Sequence, residues 1–418
     1  MRIAFVGHVD HGKSTLIGRL LADAGALPDG KLEQVRAHCE SQGRPFEHAF
    51  LLDALRDERA RGITLDVARV RLRTARHACT ILDTPGHAEF LKNMVTGAAR
   101  ADAALLVVDG HEGVQENSRR LAGMLALLGL RQVAVLVNKM DLLGRREAAF
   151  DALVAGLAAD LERVGLRPSA YVPVVGRSGE NLADRSATMA WYQGPTLLEV
   201  LDGFEEAASL EELPFRMPVQ EVFHFTGDGD TRRIVAGTVE SGTAGPGDEL
   251  VFHPSGQRGR LRSLEAFPGP PPPRITAGMA AGFTLEEPIE PARGEVAAKA
   301  GEAAPVVGDR FRASLFWLGR QPLRGGRDYL LKLGSARVPA RLEAVVRVLD
   351  VATLEPRAGA GTLARHEAGE CILRAARPLA FDLGQLTPAT SRFVLVDEYE
   401  IAGGGIIREA LPSAAGRG

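Results

Sequence analysis

The stretch Gly7-His-Val-Asp-His-Gly-Lys-Ser14 constrains this chain more than any other. It fits the pattern GxxxxGK[ST] and stands between an apolar run, residues 3–6, and a segment of helical periodicity, residues 13–22. A glycine-rich loop in that setting lets successive backbone N–H groups and a helix N-terminus converge on an anion. It predicts a phosphate site in which Lys13 reaches the β- and γ-phosphates and the Ser14 hydroxyl holds Mg²⁺. Other phosphate-binding families and chance produce the same pattern, so further motifs have to decide.

Three more segments narrow the choice. Asp83-Thr-Pro-Gly86 follows the apolar run 80–82. A carboxylate there can hold Mg²⁺ through water, and the Gly86 N–H can sense a γ-phosphate; taken alone, the segment reads equally well as a plain turn. Asn138-Lys139-Met-Asp141 follows the apolar run 133–137. The Asp141 carboxylate can accept two hydrogen bonds from the N1–H and N2–H₂ of guanine, a donor pair that adenine lacks. A buried acceptor left unpaired rejects the wrong base, which points to GTP and GDP rather than ATP. Arg61-Gly-Ile-Thr64 lies between the first helix and the 80–82 run. Thr64 can add a second hydroxyl to Mg²⁺ in a loop that orders when γ-phosphate is present; alone, it reads as a threonine that starts a strand.

A chain of 418 residues is too long for one core. Up to about residue 202, buried-strand runs (3–6, 80–82, 103–108, 133–137, 170–175) alternate with helical segments (13–22, 88–98, 118–128, 147–164). That alternation predicts a mostly parallel sheet with helices on both faces. Residues 203–215 read as an acidic linker ending at Pro214. Short strand-like runs broken by Gly and Pro then fill 216–306 and again 307–411, which suggests one antiparallel β-barrel followed by another. Residues 412–418 read as a frayed tail. The expected fold is therefore an α/β P-loop G domain over 1–202 and two antiparallel barrels after it.

The net charge of −3 shows no basic excess of the kind a dedicated nucleic-acid binder carries. Cys39, Cys79 and Cys371 are far apart in sequence and form no metal-ligand pair, which fits a reducing, cytoplasmic setting. The start of the chain is too short for a leader's apolar region, and no apolar run reaches the ~20 residues of a membrane helix.

Residues 8–15, 61–64, 83–87 and 138–141 together resemble the G domain of translational GTPases such as elongation factor Tu and its archaeal and eukaryotic counterparts. The likeness is dense from Met1 to about Asp202. It implies that Gly7, His8, Val9, Asp10, His11, Gly12, Lys13, Ser14 and Thr15 wrap the phosphates, with Ser14, Thr64 and Asp83 on Mg²⁺. It implies that His87 positions the attacking water, helped by Lys13 and Gly86, while Val9 and Ile63 screen it. Without the family, His87 reads as a polar residue opening the next helix. Asn138, Lys139 and Asp141, with Val175, Gly176 and Arg177, would form the guanine side. One departure stands out: where the family has Ser-Ala-Leu or Ser-Ala-Lys, this chain has Val175-Gly176-Arg177. The serine hydroxyl is absent, which leaves the Gly176 N–H to donate to the guanine O6.

Further segments, residues 180–198, 251–264, 315–333, 345–354 and 391–407, resemble the large, GTPase subunit of bacterial sulfate adenylyltransferase (ATP sulfurylase). That resemblance implies a smaller catalytic partner subunit that joins ATP and sulfate into adenylyl sulfate, while this chain hydrolyses GTP and couples the energy to that step. No second nucleotide motif for ATP occurs. His8, His11 and residues 90–97 lean toward elongation factors, an alternative that binds tRNA or ribosome. Arg258, Arg260 and Arg262 alternate on one expected strand and so share a face. They could meet nucleic-acid phosphates or simply form a solvated barrel wall.

Overall fold

The computed structural model describes residues 1–53, 68–83, 101–127, 129–130, 132–205, 209–225, 232–266, 269–349, 356–358, 361–384 and 387–413. The expected helix over 88–98, the tail beyond 413, and Ile63, Thr64, Gly86 and His87 lie outside them. The chain divides near residue 206 into two units.

In the first unit, β1 (Arg2–Gly7), β2 (Ala68–Arg73), β3 (Ala78–Asp83), β4 (Ala103–Asp109), β5 (Val133–Asn138) and β6 (Tyr171–Pro173) form one sheet in the order β2-β3-β1-β4-β5-β6. Only the β2–β3 pairing is antiparallel. β4 and β5 are buried along their whole length, as strands covered on both faces must be. Helix α1 (Lys13–Asp23) sets Leu16, Ile17, Leu20 and Leu21 in the same core as Ile3, Phe5 and Ile81. Then come α2 (Lys31–Ser41), α3 (Glu116–Leu127), α4 (Glu147–Arg163) and α5 (Leu197–Gly203). The start of α5 is fixed by a capping box in which Thr196 and Glu199 satisfy each other's backbone N–H. The strand expected over 170–175 shortens to β6: Val174 N–H still donates to Val137 O at 2.8 Å, but the pairing with β5 ends there and Val175 makes only an isolated bridge to Glu180.

The second unit opens with a closed barrel. Its strands are β7 (Arg216–His224), β8 (Arg233–Thr238), β10 (Glu249–His253), β11 (Gln257–Glu265), β13 (Ala280–Leu285) and β14 (Val296–Lys299); the short β9 (Thr243–Ala244) and β12 (Ile275–Thr276) pair beside it. Alternate residues such as Leu250, Phe252, Leu261 and Phe283 fill its interior. The next sheet comprises β15 (Val306–Trp317), β17 (Asp328–Leu333), β18 (Ala336–Leu349), β19 (Pro356–Ala358), β21 (Ala368–Phe381), β22 (Arg392–Asp397) and β23 (Glu400–Ala410), accompanied by β16 (Leu323–Arg324), β20 (Thr362–Leu363) and α6 (Pro388–Ser391). Pairing of β17 with β18 closes it into a second barrel around Phe311, Trp317 and Phe381.

Part of the expected linker is integral to the first barrel. Gly242 N–H donates to Leu210 O at 2.7 Å, the Ser241 hydroxyl to Pro214 O at 2.6 Å, and Phe215 is fully buried. Within this unit Arg216, 1% exposed, joins the two barrels. Its Nε lies 2.9 Å from Asp382 Oδ2 and its Nη2 3.0 Å from Oδ1, while its other N–H groups donate to Phe215 O and Ala303 O. The Thr390 hydroxyl donates to the same carboxylate at 2.6 Å. All three cysteines are buried, Cys39 in α2, Cys79 in β3 and Cys371 in β21, and burial pushes the Cys371 thiol up to about 12. Among the described residues no helix is long and apolar enough to cross a membrane.

Candidate nucleotide site

β1, β3 and β5 all deliver their carboxyl ends to one edge of the sheet, beside the point where the chain order turns from β3 through β1 to β4. Open α/β sheets place their ligands in that crevice. β1 ends at Gly7, and the loop His8, Val9, Asp10, His11, Gly12 returns into α1. Gly12 has φ +88, and a Cβ there would collide with the Asn138 amide nitrogen, so both the turn and the close approach require glycine. Lys13, 8% exposed, donates from Nζ to Gly7 O and His8 O, each at 2.7 Å. Burial pushes its ammonium down to about 8, against the opposing pull of Asp83 and Asp10. Ser14 and Thr15 follow in the first turn of α1, and Asp83 ends β3 opposite Phe5 of β1.

The two loop histidines belong to the framework. His11 is fully buried, with Nδ1 3.2 Å from Val107 O and Nε2 3.4 Å from the Glu112 carboxylate, and burial lowers its pKa. His8 stands edge-on to it and bonds Asn117 at 2.9 Å.

On the opposite side, the Asn138 amide ties two loops together. Its Nδ2 donates to His11 O at 2.9 Å and its Oδ1 accepts the Gly176 N–H at 3.0 Å. The N–H that the sequence reading gives to a guanine O6 therefore already has a protein acceptor. Lys139, at φ 62, reaches Asp109 at 2.6 Å. Burial works against the Asp109 charge, but bonds from Lys139 and from the N–H groups of Glu112 and His111 outweigh it, and its pKa falls. Arg145, Ser178, Ser186 and Thr188 all bond the Glu180 carboxylate, which braces the segment after Arg177 against the turn after Asp141.

Between these walls lies a cavity of about 530 Å³. Asp10, Gly12 and Thr15 line it from the phosphate loop, Asn138, Lys139, Asp141 and Leu142 from the end of β5, and Val175, Gly176 and Arg177 from the loop after β6. Phe46, Glu47 and His48 form a further wall that the sequence reading missed. They belong to no motif; the His48 carbonyl packs directly on Gly18 of α1, where a Cβ would collide with it, and so the segment lies against the helix that leaves the phosphate loop.

The donors present suit a hard cation. Ser14 offers a hydroxyl and Asp83 a carboxylate, and no cluster of three His, Cys, Asp or Glu occurs among the described residues. Oxygen donors of this kind are those a Mg²⁺ ion takes, alongside water and substrate phosphate. On the first barrel, Arg258, Arg260 and Arg262 do share the exposed face of β11, but Arg258 lies 3.3 Å from Glu249 and Arg260 4.0 Å from Glu286.

Residues 1–207 match the family described as Elongation factor Tu GTP binding domain, and residues 310–408 match the GTP-eEF1A C-terminal domain-like family. Sulfate adenylyltransferase subunit 1 of Laribacter hongkongensis is 37% identical over 99% of this chain and 86% of its own length. The bifunctional enzyme NodQ of Azospirillum brasilense is 38% identical over 99% of this chain and 67% of its own length. Elongation factor 1-alpha of Archaeoglobus fulgidus is 34% identical over 99% of this chain and 98% of its own. With a phosphate-loop sheet, two barrels after it and relatives matched from end to end, the chain belongs to the elongation factor Tu type of GTP-binding proteins.

Proposed function

We propose that this chain is the GTP-hydrolysing regulatory subunit of a sulfate adenylyltransferase, working in the cytoplasm beside a smaller catalytic subunit. The partner makes adenylyl sulfate from ATP and sulfate, and hydrolysis here drives that step. The observation that carries the reading is the 37% identity to a sulfate adenylyltransferase subunit 1 across 99% of the chain.

The nucleotide half rests on the pocket. Lys13 supplies a buried point charge whose desolvation the triphosphate oxygens would offset. Asp141 accepts from the guanine N1–H and N2–H₂. Ser14, Asp83 and Thr64 would hold Mg²⁺, which when bound neutralises charge developing on the β- and γ-phosphate oxygens. His87 orients the water, whose oxygen bonds to the γ-phosphorus as the bridging P–O bond breaks to leave GDP and phosphate, and the Gly86 N–H binds the γ-phosphate.

A second reading, an elongation-factor-like protein that binds tRNA or ribosome, is favoured by the relative in Archaeoglobus fulgidus, which aligns over 98% of its own length. The acid-paired arginines on β11 weigh against it. Purification from the native cell with a non-hydrolysable GTP analogue separates the two. We expect a stoichiometric small subunit, and adenylyl sulfate formation by the pair that GTP stimulates. Retained aminoacyl-tRNA or ribosomes, without that subunit, would overturn the proposal in favour of the second reading.

A further inference from the structure

We infer that Phe46, Glu47 and His48 form a nucleoside-binding wall, with the Phe46 ring against the purine–ribose unit and the Glu47 carboxylate accepting hydrogen bonds from the ribose hydroxyls. The inference rests on the guanine-nucleotide reading of the pocket.

These residues line the same cavity as Gly12, Asn138, Asp141 and Gly176. Their neighbours show which end of a nucleotide they face. The His48 carbonyl packs on Gly18, in the turn of α1 beyond Ser14 and Thr15. Arg19, the next residue, donates to Arg177 O at 3.1 Å. The wall therefore runs beside the base loop rather than the Lys13 end. A carboxylate at Glu47 would repel phosphate, whereas a ribose diol offers it two donors; an acidic side chain is a recurrent partner of ribose hydroxyls in α/β nucleotide sites.

Phe46 is held in place before any ligand arrives. The Arg36 guanidinium carbon lies 5.1 Å from its ring centroid, and the His48 ring stands edge-on at 5.0 Å. The ring also packs on the small core of Val35, Cys39 and Leu51, yet it stays half-exposed, toward the cavity. A fixed aromatic surface beside a base loop gives sequence-tolerant contact with a purine.

Two variants test this, with binding of GDP, 2′-deoxy-GDP and 3′-deoxy-GDP followed in the full chain. Wild type should hold GDP about tenfold more tightly than the deoxy analogue that lacks the bonded hydroxyl, and Glu47→Ala should erase that difference. Phe46→Leu, which keeps the packing on α2, should release GDP about tenfold faster at an unchanged unfolding midpoint. Glu47 is exposed, so its variant keeps the test open if Phe46→Leu loosens the fold. Wild-type release from Phe46→Leu and an unaltered deoxy ratio in Glu47→Ala would overturn the wall while leaving the pocket assignment intact. A wild-type chain that holds no GDP would overturn the pocket assignment itself.

Discussion

Lys13 and Asp141 take the two ends of the proposed nucleotide, and each gives a distinct readout. Lys13→Ala should lose about 100-fold or more in GTP affinity by equilibrium titration, since a buried charge–phosphate contact disappears. Asp141→Asn should move preference from GTP toward xanthosine triphosphate, because the amide presents a donor where guanine also has one. Glu180 reports on pH. The Arg145 guanidinium, aided by three hydroxyls, holds its carboxyl well below the usual carboxylate range. Its folded pKa lies below the unfolded value near 4.5, so the stability it adds is present above that pH and is lost as pH falls toward the folded value. Glu180→Gln should therefore cost about 1–3 kcal/mol at pH 7 and progressively less below pH 4.5, measured by urea unfolding. Legibility follows chemistry here. Lys13 and Asp141 stand out as candidates in the sequence because the motifs around them fix both residue type and spacing. Phe46 and the Asn138–Gly176 bond were not, because tertiary approach alone gives them their positions.

Among the elements, strands buried on both faces stand out most in the sequence: the runs behind β4 and β5 are short, continuous and rich in Val and Leu. Helix α2 was not legible, because it buries little beyond Val35 and Cys39 and so carries no clear apolar stripe. β21 runs on to Phe381 because its pairing with β15 resumes beyond a bulge. The packing of α1 on the segment before Leu51 gives this scale its prediction. Gly18→Ala forces a methyl against the His48 carbonyl, so it should cost about 1–3 kcal/mol in thermal unfolding. It should also speed GDP release, because the wall at Phe46 moves with His48.

For the whole molecule, the order of the sheet and the two barrels could be read from the alternation of strand and helix patterns. The tie between the barrels could not, since Arg216 and Asp382 are far apart in sequence and neither sits in a motif. Removing one partner leaves a buried charge uncompensated, so Arg216→Ala should lower stability to denaturant by about 3–5 kcal/mol. Arg216→Met with Asp382→Leu should recover most of that loss; no recovery would mean the pair is not what joins the two. The buried thiols carry a different consequence. Cys39, Cys79 and Cys371 sit in the α2 core, the first sheet and the second barrel. An intact molecule should be almost mute to an alkylating reagent, and each thiol becomes a clock that starts only when its own region opens. Timed alkylation of the unmodified chain, read peptide by peptide, would then give three opening rates from one experiment with no introduced label.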